Sequence, residues 1–170
     1  IGSYIGRGDI PLAKLCARRH VELVIGISVA SGAAMLLLLF ARSSRYAGGS
    51  YIEQLKMNLN LVPLDTVRRF VYVIKHNPNP HMLRYAHLNL GGNVAAFIPF
   101  GFFLPCLFDR QRIFWRFLLT AAAVIVCIEL LQLVTLRGSC DIDDLILNLI
   151  GSALGYAVWK LSVKIKNKKS

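Results

Sequence analysis

The stretch LVIGISVASGAAMLLLLFA at 23–41 decides the fold class, because nineteen consecutive residues carry no charge. A helix of that length, rising about 1.5 Å per residue, nearly covers the roughly 30 Å hydrocarbon core of a bilayer. The run is longer than the apolar core of a signal peptide and follows a polar lead, so it reads as a membrane span. Composition agrees. Of 170 residues, 55% are hydrophobic and 17% charged, against about 25% charged in soluble domains. An ordinary soluble globule, a disordered chain and a disulfide-stapled miniprotein are excluded.

Three more spans follow, at about 88–108, 117–136 and 142–163. The second is uncharged but is expected to be broken by Gly91, Gly92, Pro99, Gly101 and Pro105. The third is apolar except for Glu129 and Gln132. The fourth begins at Asp143 and Asp144 and ends at Lys160, whose long stem lets it reach the interface. Between the first two spans, Leu64, Val67, Val71 and Ile74 recur at helical spacing, with Asp65, Arg68, Arg69 and Lys75 on other faces. This predicts a basic amphipathic helix over about 64–75, lying on the membrane surface or packed on the spans. Pro78 and Pro80 end it. The expected fold is all-α, an integral membrane bundle of about four transmembrane helices plus this outer helix, in one domain over 1–170.

The chain is basic, with 20 Lys+Arg, 9 Asp+Glu and a net charge of +11. No aromatic-basic recognition motif accompanies the charge, so nucleic acid is not an expected partner. The basic residues fall instead in flanks: Arg7, Lys14, Arg18 and Arg19 before the first span, Arg110, Arg112 and Arg116 between the second and third, and five lysines from Lys160 onward. With four spans these flanks share one side, and the positive-inside rule makes it the cytoplasm. A multi-pass cell-membrane protein with both termini cytoplasmic is expected. The outer connection at 42–87 also carries seven basic residues, but long loops weigh less in that rule. Cys16, Cys106, Cys127 and Cys140 have no metal-type pairing, and no disulfide is expected.

Polar groups inside a membrane protein are costly, so their positions point to function. Glu129 and Gln132 share a face of the third span; Asp144 and Asn148 share one on the fourth, which Asp141 extends. Asn89 and Asn93 stand four apart near the start of the second. All lie toward the outer ends, which suggests one outward polar pocket with Arg137 at its rim. Simpler readings stand beside this one. Asp141, Asp143 or Asp144 can cap a helix, the asparagines can bond between helices, and Gly151–Gly155 spacing can serve close packing. Glu129 fits no such role, since a carboxylate two turns inside a span must be protonated, paired or in a wet cavity. His76, His81 and His87 are scattered about turns, and no metal or other cofactor is assigned.

These residues arrive in a recognisable order. The blocks NLVP at 60–63, NVAAFIPFG at 93–101, ELLQ at 129–132, Arg137 and DIDDLILNLIG at 141–151, followed by Gly155 and Tyr156, resemble the VanZ family. That family is named for proteins associated with resistance to teicoplanin and related glycopeptides. The resemblance carries Asn60, Asn93, Pro99, Gly101, Glu129, Gln132, Arg137, Asp141, Asp144, Asn148 and Gly151 into motif positions. Leu64 stands where an aromatic is expected after the proline. The resemblance implies a membrane protein tied to a phenotype outside the membrane, and supplies no chemistry.

The site expectation is therefore Glu129, Asp144 and Arg137 as acid–base and anion-holding groups, with Asn60, Asn89, Asn93, Gln132, Asp141, Asp143 and Asn148 binding substrate. The expected partners are membrane lipids and a lipid-linked envelope precursor or glycopeptide. An enzyme, a non-catalytic binder of envelope lipid or drug, and a small transporter are the competing functions; no inverted repeat supports the last.

Overall fold

A computed structural model describes residues 49–77 and 79–168, together with scattered helical positions between 22 and 33. The first expected span, 23–41, lies for the most part outside the described residues. Five helices follow in order: α1 (Tyr51–Met57), α2 (Asp65–His76), α3 (Pro80–Leu107), α4 (Phe114–Val134) and α5 (Ile142–Lys168). Two short parallel strands, β1 (Leu59–Asn60) and β2 (Cys140–Asp141), pair Leu59 with Cys140 and Asn60 with Asp141. Among the described residues three helical segments are long and apolar enough to cross a bilayer: Pro80–Leu107, Phe114–Val134 and Ile142–Ile165. The chain is an all-α membrane protein.

The expected amphipathic helix forms as α2, within a residue of the predicted ends. The second span departs from expectation in two ways. It starts at Pro80, eight residues early, because Pro at N1 and the Asn79 side chain accepting from the His81 N–H at 2.9 Å form a strong helix start. It is also unbroken. Pro99 and Pro105 sit within a continuous helix, as membrane helices tolerate when neighbours pack around the freed carbonyls. Gly91 and Gly92 face open space.

The main interface joins α3 and α5, which run in the same direction: Val94 meets Gly151, and Ile98 and Phe102 meet Gly155. A Cβ on Gly151 would lie 2.1 Å from the Val94 carbonyl oxygen, and one on Gly155 2.0 Å from that of Ile98. Gly101 answers from the other helix, where a Cβ would lie 2.0 Å from the Ser152 carbonyl oxygen. Small residues thus bring two backbones into contact, the close packing expected of this spacing in lipid. Helix α4 runs opposite to both. Its Ile125 and Ile128 pack with Phe97 near one end, and its Phe117 and Ala121 pack with Tyr156 near the other. Tyr156 also donates to the Arg112 carbonyl at 2.6 Å, fixing the α3–α4 hinge. At the opposite end, the Tyr51 hydroxyl donates to the Val134 carbonyl at 2.7 Å and ties α1 to α4.

Candidate functional site: a polar cavity at the end of the bundle

The start of α2 has no cap of its own. Its N-cap residue is Leu64, held at φ 63 with no side-chain acceptor. The missing acceptor comes from α5, distant in sequence. Asp143, 0% exposed, accepts the Leu64 N–H at 2.5 Å through one oxygen and the Val67 N–H at 3.0 Å through the other. A carboxylate there also meets the positive end of the α2 dipole. Asp143 thus caps a helix, though not its own.

Asp141 does two jobs. Its Oδ1 accepts the Asp143 N–H at 2.9 Å and caps α5. Its Oδ2 accepts from the Thr66 hydroxyl at 2.6 Å and the Asn60 amide at 3.2 Å. Asn60 in turn donates to Thr66 at 3.0 Å and accepts the Val62 N–H at 3.2 Å. The Cys140 N–H donates to the Asn58 carbonyl at 2.8 Å and extends the strand pairing. This network welds the entry of α2 to the entry of α5.

Beside it opens a cavity of about 290 Å³, lined by Met57, Asn58, Asn60, Thr66, Arg69, Phe70, Tyr85, Asn89, Ser139, Asp141 and Asp144. Asp144, half-buried, accepts a short hydrogen bond from the Asn93 amide across the α3–α5 seam. Asn89 donates to the Tyr85 carbonyl one turn back at 3.0 Å and reaches the cavity wall. Arg69 also lines it and pairs with Asp65 at 2.6 Å. Both members of that pair are exposed, so it adds little stability.

Glu129 lies elsewhere. It is 4% exposed and borders a second cavity of about 190 Å³ with Leu61, Val126, Leu130, Cys140, Asp141, Ile142 and Leu145. Asp141 is shared by both cavities. Cys140 lines this second cavity too; burial pushes its thiol pKa up, and the charges of Glu129, Asp141 and Asp144 push it further. Gln132 is buried, packs against Gly138, and its carbonyl accepts the N–H groups of Arg137 and Gly138 at 3.0 and 3.3 Å. Arg137 itself is exposed on the turn after α4. Asn148 is 1% exposed, and neither atom of its amide has a hydrogen-bond partner among the described residues.

The structure therefore gathers Asn60, Asn89, Asp141 and Asp144 on one cavity, with Asn93 holding Asp144. A family description, VanZ/LLP1, matches residues 28–163. The chain belongs to the VanZ/LLP1 family. No curated protein and no solved structure matches it. The VanZ/LLP1 match takes in every residue that touches the two cavities at this end of the bundle.

Sequence reasoning missed Asn58, Thr66, Arg69, Tyr85 and Ser139 as cavity residues. One signal was available: Thr66 and Arg69 stand three apart and share a face of α2. Tyr85 had none, because it falls in the outer connection at 42–87, ahead of the span expected at 88–108.

Proposed function

We propose that this VanZ-like membrane protein binds the polar headgroup of an envelope lipid or lipid-linked precursor in the cavity beside Asp144. The observation that carries the reading is the cavity's make-up, with amides, carboxylates, the hydroxyls of Thr66, Tyr85 and Ser139 and the Arg69 guanidinium gathered where three membrane-crossing helices end. Its volume of about 290 Å³ sits at the lower edge of the roughly 300–1,000 Å³ usual for small-molecule sites. That suits a headgroup better than a whole glycopeptide. The opposite end of the bundle carries Arg110, Arg112, Arg116, Lys160 and Lys164, and by the positive-inside rule this supports an outward cavity and cytoplasmic termini. Holding an envelope lipid at the outer surface then alters how teicoplanin-type glycopeptides meet their target, which accounts for lowered susceptibility.

A second reading, turnover of the held lipid, draws on Asp144, a carboxylate on the cavity wall oriented by Asn93. Glu129 and Arg137 are its proposed companions from the neighbouring compartment and the turn. Lipids extracted from cells carrying wild type or Asp144→Asn, compared by mass spectrometry, test both readings. Co-purification of a lipid with wild type alone supports binding, and a changed lipid supports turnover. Identical lipid profiles, with resistance also unchanged at matched expression, would overturn both. Within the turnover reading Glu129→Gln and Asp144→Asn act as a unit, so the double variant is no worse than either single one.

A further inference from the structure

We propose that the cavity's ligand is a glycolipid, with an uncharged, hydroxyl-rich sugar headgroup that enters from the bilayer. This rests on the reading of the cavity as a headgroup site and names the headgroup's chemistry.

Charge is the first argument. Among the described residues that line the cavity, Asp141 and Asp144 stand with one cation, Arg69, whose guanidinium also pairs with Asp65 at 2.6 Å. A phosphoryl group would set further negative charge beside these two carboxylates. Sugar hydroxyls suit the same wall, because each donates to a carboxylate and accepts from an amide or guanidinium N–H. Shape is the second. Phe70 and Tyr85 line the cavity with ring centroids 5.7 Å apart in an edge-to-face pair. They offer apolar surface and a phenolic handle beside polar groups, which matches a sugar ring with C–H faces and hydroxyl edges.

The rim is the third. Met57, which lines the cavity, is 79% exposed, and Leu61 and Val62 close by are each 61% exposed. Such a run beside a polar opening marks an apolar partner. Leu61 also borders the smaller, mostly apolar cavity beyond Asp141, so apolar surface leads from one opening toward the other. A headgroup carrying acyl chains uses both surfaces, whereas a free sugar uses one.

The test uses the full chain in nanodiscs and native mass spectrometry with an equimolar mixture of diglucosyldiacylglycerol, phosphatidylglycerol and diacylglycerol of matched acyl chains. The glycolipid is expected to be retained about tenfold over phosphatidylglycerol, the factor carried by one well-made contact. Tyr85→Leu, an exposed position that leaves the core untouched, is expected to remove most of that preference, and Arg69→Gln less of it. Preference for phosphatidylglycerol, abolished by Arg69→Gln, overturns the sugar headgroup and leaves the headgroup site standing. Equal retention of all three lipids in wild type and both variants overturns the site as well. Full competition by soluble diglucose at the same concentration overturns entry from the bilayer.

Discussion

The seam between α3 and α5 and the polar end above it are built from the same two helices under opposite rules. In the seam, glycines remove side chains until backbone meets backbone, and the buried hydroxyl of Ser152 bonds to its own helix at the Asn148 carbonyl, 3.0 Å away. At the end, polar side chains bond across elements far apart in sequence: Asp143 to Leu64, Asp141 to Thr66, Asp144 to Asn93. The seam fixes how the two helices sit; the end uses that fixed geometry to hold groups that local sequence would scatter. Rigidity and polarity are separated by about two helical turns along α5.

Breaking the seam has the largest expected effect. Gly151→Leu drives a side chain into the Val94 backbone, which no rotamer avoids, and should abolish folded protein in fluorescence-detected size exclusion. Gly151→Ala already needs the helices to part and should lower stability by about 3 kcal/mol, the upper range for overpacking. The control is Gly91→Ala, which meets open space and should be neutral or stabilising by about 0.5–1 kcal/mol in the helix. Equal behaviour at the two positions in a thermal melt would show that the seam is not the close contact described.

The next effect is the loss of the distant cap. Asp143→Ala strips acceptors from two N–H groups at the start of α2 and should cost about 2–3 kcal/mol, typical for hydrogen bonds to a charged group. The loss should be local. Hydrogen exchange at Leu64 and Val67 should rise sharply while exchange within α4 stays unchanged. Uniform acceleration along the chain would mean that Asp143 supports the whole bundle rather than one helix end.

Asp144→Asn should cost less, about 1 kcal/mol, because the amide still accepts from Asn93 once charge assistance is removed. Its effect should appear in lipid capture or resistance instead. A variant of near-normal stability with lost function sharpens the division between seam and site, and a variant that unfolds erases it.

How much of this was legible depends on the range of the interaction. The apolar runs at 117–136 and 142–163 and the 3.6-residue period at 64–75 are local signals, and the helices α4, α5 and α2 lie there. The start of α3 was missed because Arg84 and three histidines at 76, 81 and 87 dilute hydropathy there, although Pro80 after Asn79 is a helix start. The strands β1 and β2 are two residues each, too short for any period to register. Asp143 read as a cap because aspartates cap helices, but nothing in the neighbouring sequence says which helix; its partners lie 79 and 76 residues away. Asp141, Asp144 and Asn60 stood out as costly polar groups, whereas Thr66, Arg69 and Tyr85 look like ordinary residues of a surface helix and a turn until the fold brings them to one wall.

The smallest effect reads the charge at the polar end directly. Cys140 lines the smaller cavity, and its thiol pKa stands above its ordinary value through burial first and then through Glu129, Asp141 and Asp144. A raised pKa means less thiolate at any given pH, and the thiolate is the reacting form. In a chain whose other cysteines are replaced by alanine, alkylation of Cys140 by iodoacetamide should therefore begin at higher pH than for free cysteine. Glu129→Gln removes one of the charges that disfavour the thiolate, so the rate profile should move toward lower pH, with no change in the melting temperature comparable to the seam variants. Asp144→Asn should move it the same way by a smaller amount, because its charge contributes less than that of Glu129. If Asp144→Asn shifts the profile and Glu129→Gln does not, Glu129 carries no charge when the thiol titrates, and the compartment beyond Asp141 holds a protonated acid. A shift with both substitutions means that both carboxylates are ionised and act on Cys140 together, though they line different cavities.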